Sequence, residues 1–494
     1  MVFAEILKQA GAMTVHGNAN VDITSISNSS RESGRGCCFV ALRGAQTDGH
    51  LFIPDAVAGG AVAVICEQLP ETLNPDVCYA VAKDSSSAAG LAAAAFYGNP
   101  SRKLKLVGVT GTNGKTTTAT LLYRLFRALG YKAGLISTVV YRVNDRAIEA
   151  TNTTPDSITL NRLMSEMVEA GCTCCFMEVS SHAIAQRRIE GLNFAGGIFS
   201  NLTHDHLDYH KTFEEYLKTK QAFFDGLPGE AFALTNADER NGRVMVQNTR
   251  AQVKTYGLRT PADFKCRIVE PHMDGMLLDL NGTEVWTKLI GDFNAYNVCA
   301  VYGAAMLLGA PHDEVVRIIS TLDSVAGRFE YVKSRTGITA IVDYAHTPDA
   351  LANVLGTINR LRRAGQRLIV VVGCGGNRDS TKRPIMAREA SENSDMAILT
   401  SDNPRKENPK DILSEMYVGV SAEARARTTV ITDRREAIKA AVMFAQKNDI
   451  ILVAGKGHET YQIVGTEKFH FDDREELAAA FAERDGSGGN ENGN

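Results

Sequence analysis

The stretch Val109-Thr110-Gly111-Thr112-Asn113-Gly114-Lys115-Thr116-Thr117 decides how this chain is read. It closes the apolar run LKLVGVTG (104–111) and leads into TATLLYRLFRALG (118–130), so a buried strand, a Gly-rich turn and a helix follow in order. Glycines let backbone N–H groups close around phosphate oxygens, and the helix N-terminus adds a favourable dipole. Lys115 is placed to neutralise β- and γ-phosphates and the Thr116 hydroxyl to ligate Mg²⁺. The spacing departs from GxxxxGK[ST], because Val109 stands six residues before the lysine. A dinucleotide fingerprint fails: after Gly373 and Gly375 it needs glycine at the position held by Arg378.

Outward from the loop, TCCFMEVSS (173–181), GGIFSNL (196–202) and AFALTN (231–236) are short apolar runs that stop at Gly, Ser or Asn. Separated by helical stretches, they predict a mainly parallel sheet covered on both faces, in a central unit spanning 99–328. Residues 251–290 lack this rhythm; LLDL and VWTKLI predict a small antiparallel insertion, followed by a helix near 294–308 and a linker at Ser324–Arg328. Residues 1–98 form a first unit, with strand-like CCFVALRG (37–44) and AVAVICE (61–67) flanking a helical DAVAGG. Its Ala-rich helix Ser85–Phe96 is broken by Tyr97-Gly98-Asn99-Pro100. A third unit, 329–485, alternates again, with strands in 338–346, 367–376, 396–402, 428–433 and 449–457. From Asp485 the chain is polar and Gly-rich, and 486–494 is expected to be a disordered tail. The expected class is therefore α/β, in three domains.

The length of 494 residues suits about three domains. Hydrophobic residues are 44% and charged residues 22%, ordinary for a chain with a real core. Lys+Arg 53 against Asp+Glu 57 gives a net charge of −4, which disfavours nucleic-acid binding. No apolar run approaches the ~18 residues of a membrane span. The start MVFAEILKQAGAM carries Glu5 and no basic stretch, so no signal peptide is expected, and the ten cysteines read as reduced thiols of a cytoplasmic enzyme.

Glu178 and His206 end successive apolar runs near the loop and are suitable Mg²⁺ ligands. The three histidines of Thr203–His210 lack zinc-like spacing, and Cys172, Cys174 and Cys175 read as buried structural residues. In the third unit, Asp343/His346, Asn377/Arg378, Asp402–Arg405 and Lys456–Glu459 all lie at strand carboxyl ends, where open α/β sheets bind ligands. Lys220, read from its surroundings alone, is a helical surface lysine.

TGTNGKTTT, MEVSSH, NLTHDHLDYH, GDFNAYN, AGRFE, DYAHTPD, GCGGNRD, DNPR and GKGHE occur in this order across 110–459, and together they resemble the Mur ligase family. The resemblance implies a smaller UDP-binding N-terminal α/β domain, a central P-loop-type ATPase and a Rossmann-like C-terminal domain. It implies an ADP-forming ligase of peptidoglycan precursor synthesis, joining an amino acid to the D-Glu γ-carboxylate of UDP-MurNAc-L-Ala-D-Glu through an acyl phosphate. Its ATP site would comprise Gly111, Thr112, Asn113, Gly114, Lys115, Thr116 and Thr117, with Asn294 and Asn297 on the adenine side and Arg328, Asp343 and His346 from the domain junction. Mg²⁺ would rest on Thr116, Glu178, His206 and Lys220, the last as a CO₂-derived carbamate; Lys115 joins the last three as the catalytic set. The nucleotide-sugar peptide would meet Asn28, Ser30, Arg31, Ala45, Gln46, Thr47, Asn152, Thr153, Thr154, Ser180, Gln186 and Arg188. Asn28-Ser29-Ser30-Arg31 departs from the family's usual aspartate-containing version.

DNPR is that family's signature for diaminopimelate. Arg405 would grip the distal carboxylate bidentately and Glu459 the distal ammonium, with Arg378, Asp402, Asn403, Pro404 and Gly455 around them. A lysine-adding member and a ligase resembling folylpolyglutamate synthase remain the alternatives. Partners are then small molecules only, and a monomer is expected.

Overall fold

The protein is described from a computed structural model covering residues 1–11, 13–44, 47–203 and 207–487. Among the described residues three large sheets follow one another along the chain, each built mainly from parallel strands, and a two-stranded antiparallel hairpin, Tyr461–Val464 with Glu467–His470, follows the third. The first has five strands and the third six, while the middle one has eleven, with the strand Lys105–Thr110 that leads into the Gly-rich turn inside it. Parallel sheets must be covered on both faces, and each of the three has an apolar cluster on either side. Alternation along single strands sorts side chains between them. Val107, Val109, Cys174 and Phe176 enter one cluster, and Leu106, Cys175 and Met177 the other. The cysteine-rich run is thus a strand seen from two cores.

Residues 251–290 are not a separate insertion. Gln252–Gly257 pairs parallel with Phe232–Asn236, and Phe264–His272 begins parallel to it before the chain turns back in antiparallel strands. These strands lengthen the central sheet on one edge, as Val140–Val143 and Arg146–Glu149 do antiparallel on the other. The alternating pattern was a sheet edge with one solvated face. The last helix, Asp473–Ser487, takes in the first two residues of the expected tail, and 488–494 lie outside the described residues.

The third sheet runs Glu330–Lys333, Thr339–Asp343, Ile450–Ala454, Leu368–Cys374, Met396–Ser401, Thr428–Val430. All but the first pair parallel, so Asp343, Cys374, Ser401 and Ala454 end on one rim. Among the described residues no helix is long and apolar enough to cross a membrane.

Candidate active site

The helix Lys115–Ala128 starts directly at the loop, with Gly114 before it and no side chain capping its first turn. Gly114 has φ +86, and a Cβ there would meet Asn297 Oδ1 at 2.5 Å, so only glycine allows this approach. Lys115 Nζ donates to the carbonyls of Gly111 (3.0 Å) and Thr112 (2.8 Å). The next strand end supports the turn: Asn201 Oδ1 accepts from Asn113 N at 2.9 Å, and Ser200 Oγ donates to Asn113 O at 2.6 Å.

Lys220 is not a surface lysine. It is 1% exposed on the helix Phe213–Asp225, donates to Gly111 O at 2.8 Å and lies 4.8 Å from the Tyr216 ring centroid. The neighbours Tyr216, Phe223 and Phe224 carry that helix face into the core, and the lysine between them points under the loop.

Glu178 ends the strand Cys174–Glu178 almost fully buried. Its Oε2 accepts from the Thr116 hydroxyl at 3.0 Å, and its Oε1 accepts from Thr138 N (2.6 Å) and Thr138 Oγ1 (3.0 Å). The residues expected at the muramoyl peptide gather beside it. Thr153 Oγ1 accepts from Thr138 Oγ1 at 3.1 Å, and the buried Thr154 hydroxyl donates to Glu178 O at 2.8 Å. Arg188 donates to Thr154 O at 2.6 Å and to Gln186 Oε1 at 2.7 and 3.0 Å, while Ser180 Oγ caps the short helix Ser181–Ala185. The Asn152 carbonyl accepts from the Tyr141 hydroxyl at 2.5 Å. His206, Ala45 and Gln46 lie outside the described residues. Asn28 and Thr47 sit on loops of the first unit and Ser30 and Arg31 on the 3-10 turn Ser30–Glu32, with Asn28, Arg31 and Thr47 exposed.

A cavity of about 400 Å³ opens beside the loop, lined by Asn113, Asn294, Asn297, Arg328, Asp343 and His346 among others. It joins the second and third units. Arg328 Nη2 donates to Thr116 Oγ1 at 3.2 Å and its guanidinium lies 4.4 Å from the Tyr344 ring centroid. Asp343 is buried, which pushes its carboxyl above the usual range, with Arg328 acting the other way. Its two oxygens accept from Phe329 N and Ala345 N, both at 2.8 Å, and hold Phe329 at φ +50 just after Arg328. Asp343 thus sets the backbone that aims Arg328. Burial foremost, and then Arg328, push His458 down to about 3, keeping the imidazole neutral 5.0 Å from the Tyr344 ring.

On the rim of the third sheet, Asn403 Nδ2 donates to Glu459 Oε2 at 2.9 Å, and Arg405 Nη1 donates to Gly376 O at 2.9 Å. Arg405 adopts φ +52. Its N donates to Ile463 O and its carbonyl accepts from Gly465 N, so the hairpin around Tyr461–Val464 fixes its direction. Arg378 is exposed, with its Cγ near Gly375, where Arg405 also approaches. The Asp402 and Glu459 carboxylates and the Arg405 guanidinium thus gather around Asn403 on this rim.

Two residues of this site, Asp349 and Thr138, were not singled out from sequence, and Lys456 was named only as the start of the strand-end cluster Lys456–Glu459. Asp349 accepts from Asn113 Nδ2 at 3.2 Å across the domain junction, Thr138 holds Glu178, and Lys456 lies inside the Asn403–Glu459 pair. Asp349 and Lys456 were within quoted motifs, DYAHTPD and GKGHE; Thr138 carried no local signal.

Comparison with known proteins agrees with this layout. Residues 22–97 match the model described as Mur ligase family, catalytic domain; 109–305 match the Mur ligase middle domain; 327–457 match the Mur ligase, glutamate ligase domain. The chain is 56% identical over 475 residues to the UDP-N-acetylmuramoyl-L-alanyl-D-glutamate–2,6-diaminopimelate ligase of Cytophaga hutchinsonii, covering 96% of this chain and 98% of that one. It is 55% identical over 482 residues to the protein of the same name from Bacteroides fragilis, covering 98% and 99%. A solved structure of a ligase with that name is 31% identical, with TM-score 0.67 over 94% of this chain and 95% of that one. The likeness read from nine ordered motifs is borne out, and the chain belongs to the Mur ligase family.

Proposed function

We propose that this chain is the ATP-dependent ligase that adds meso-2,6-diaminopimelate to the γ-carboxylate of D-Glu in UDP-MurNAc-L-Ala-D-Glu. The observation that carries the choice of amino acid is the pocket on the third sheet. Acidic Asp402 and Glu459 and basic Arg405 gather around Asn403, complementary to an ammonium and a carboxylate borne on one distal carbon. L-Lysine brings the ammonium alone and would leave the guanidinium without its carboxylate.

A carboxylate acylates poorly until it is phosphorylated, so the γ-carboxylate first attacks the γ-phosphate of ATP, releasing ADP and giving an acyl phosphate. The amine then adds to the carbonyl and the tetrahedral intermediate expels phosphate. Positioning and charge neutralisation do most of this work. Lys115 and Arg328 meet the phosphates, and the loop amides cradle them. Asn294 and Asn297 line the nucleotide cavity, and the Asn152–Thr154 segment with Arg188 borders the reacting carboxylate. The Thr116 hydroxyl and the Glu178 carboxylate, already in contact, are hard oxygen donors that fit magnesium. Lys220 as a carbamate and His206 would complete its ligands. When bound, the ion screens the charge of the transferring phosphoryl group. The domains divide as residues 1–98 for the uridine end, 99–328 for ATP and 329–485 for the amino acid. Ten buried free thiols suit a reducing compartment, which supports a cytoplasmic reaction.

The test is phosphate release. It is expected only when the UDP-linked dipeptide and meso-diaminopimelate are both present, with L-lysine a poor replacement. Equal efficiency with the two amino acids would overturn the assignment.

A further inference from the structure

Lys456 has no place in the mechanism above, yet it is 0% exposed. It follows the strand Ile450–Ala454 on a turn whose Gly455 has φ +115, and a Cβ at 455 would meet Asp402 Oδ2 at 2.8 Å. The glycine lets the turn press against Asp402 and carries the lysine inward. Lys456 Nζ donates to Glu459 Oε2 at 3.0 Å and to Asn403 Oδ1 at 3.2 Å, and stands 3.9 Å from Asp402 Oδ1. Asn403 Oδ1 also accepts from Ile463 N at 2.9 Å. With its oxygen held by two donors, the amide must turn its Nδ2 toward Glu459.

We propose that Lys456 is a positioning residue for the incoming amino acid, orienting Asn403 and Glu459 and keeping Glu459 ionised for the ligand's distal ammonium. The inference rests on the reading of this pocket as the diaminopimelate site. Its logic is a charge count. With Arg405 reserved for the ligand's carboxylate, Asp402 and Glu459 are two anions beside one internal cation, Lys456, which leaves one negative charge for a ligand ammonium. Without the lysine, the buried Asp402 and mostly buried Glu459 carboxylates would share the site, and one would take up a proton. The other groups facing Glu459 do not replace it: Tyr344 and Tyr461 are neutral, and Arg434 is committed to Asp473 at 2.7 Å, both fully buried. Burial first, and then Asp402, already push Glu459 up, with Lys456 pulling it back.

Lys456→Met removes the charge at similar size. Lys456→Gln also keeps a hydrogen-bond donor, which preserves the turn should the methionine variant fail to fold. Both are expected to raise the KM for diaminopimelate at least tenfold while the KM for ATP stays within twofold. Both should also move the acidic limb of the kcat/KM profile for diaminopimelate to higher pH. Lys456→Arg should restore the limb to its wild-type position. In a Glu459→Gln background, Lys456→Gln should add less than twofold, because the carboxylate that Lys456 keeps ionised for the ligand is already gone. A lysine that only anchors the turn would leave the pH limb where it is, and that result overturns the proposal. So would equal losses for ATP and diaminopimelate. A wild-type enzyme indifferent to diaminopimelate overturns both this inference and the assignment of substrate; a diaminopimelate-using wild type with an unmoved Lys456→Gln limb overturns this inference alone.

Discussion

At the phosphate loop, Gly111–Thr117 comes from one continuous strand, turn and helix, whereas the pocket around Asn403 draws on the loops after three strands, Leu368–Cys374, Met396–Ser401 and Ile450–Ala454. The loop is supported largely through backbone groups: Lys115 and Lys220 both donate to the Gly111 carbonyl, and the helix N-terminus opens beside it. The second region is an array of charged side chains: Lys456 holds Glu459 and stands beside Asp402, while Arg405 donates to the carbonyls of Gly376 and Asn403. A backbone cradle suits phosphate, a ligand common to many enzymes. Side-chain charges suit a choice between similar amino acids, because each can be exchanged without moving the main chain. If the two regions divide the labour this way, damage to the first should stop the reaction, and damage to the second should change only what is accepted.

The largest effect is expected from Lys115→Ala. Losing a charge-stabilising group costs on the order of 10²–10³ in rate or more, with the thermal transition little changed. Near-normal turnover in the purified variant would remove the loop from the chemistry. Lys220→Ala comes next. As a carbamate ligand its loss should leave little activity, and a short-chain carboxylic acid should restore part of it by supplying the missing oxygen donor. A Lys220→Ala enzyme that is active and indifferent to bicarbonate would make the lysine a packing residue beneath Gly111.

The difference between the two regions also explains what could be read in advance. The loop was legible because its parts are contiguous, and strand, turn, Lys-Thr and helix appear in the order the chemistry needs. The three-unit division and the Ser85–Phe96 helix follow from local patterns of the same kind. Lys220 was legible only by family likeness. Nothing in FEEYLKTKQAFFD says that position 220 shares the face of Tyr216 and Phe223–Phe224 and enters the space beneath a loop a hundred residues earlier. Residues 251–290 misled because alternation reports a half-solvated strand without saying which sheet it joins. In the pocket, DNPR and GKGHE were visible as strings, but the bond between Lys456 and Asn403, 53 positions apart, exists only once the strands are side by side.

Arg405→Ala tests the second region directly. A charged hydrogen-bonding group of this kind contributes about 1.5–3 kcal/mol, so the KM for diaminopimelate should rise roughly 10- to 100-fold. The KM for ATP should not move. Lysine should lose much less than diaminopimelate, since it has no distal carboxylate to miss, and the preference between them should narrow. A parallel rise in both KM values would mean that Arg405 holds the two domains together, and the proposed separation would fail.

The smallest effect on turnover is expected at the seam between the regions, where His458 lies against Tyr344 with its side chain held neutral. Burial and the neighbouring Arg328, Arg474, His346 and Lys456 push its pKa down to about 3 from an ordinary 6.5. The unfolded chain therefore binds a proton at 458 before the folded one does. Stability from this group is complete above pH 6.5 and is lost as the pH falls toward 3. Between pH 6.5 and 5 the loss is at most about 2 kcal/mol, at 1.36 kcal/mol per unit. Asp343 and Glu459, whose carboxyls are pushed up by burial, act with the opposite sign, because the folded state takes their protons first. Total stability against pH will not isolate the histidine; the difference between wild type and His458→Asn will. Denaturant unfolding of the two proteins from pH 7 to pH 5 is expected to show the wild type losing ground relative to the variant over that interval. A constant difference across the range would mean that His458 titrates alike in both states, and that the seam admits a charge it was built to exclude.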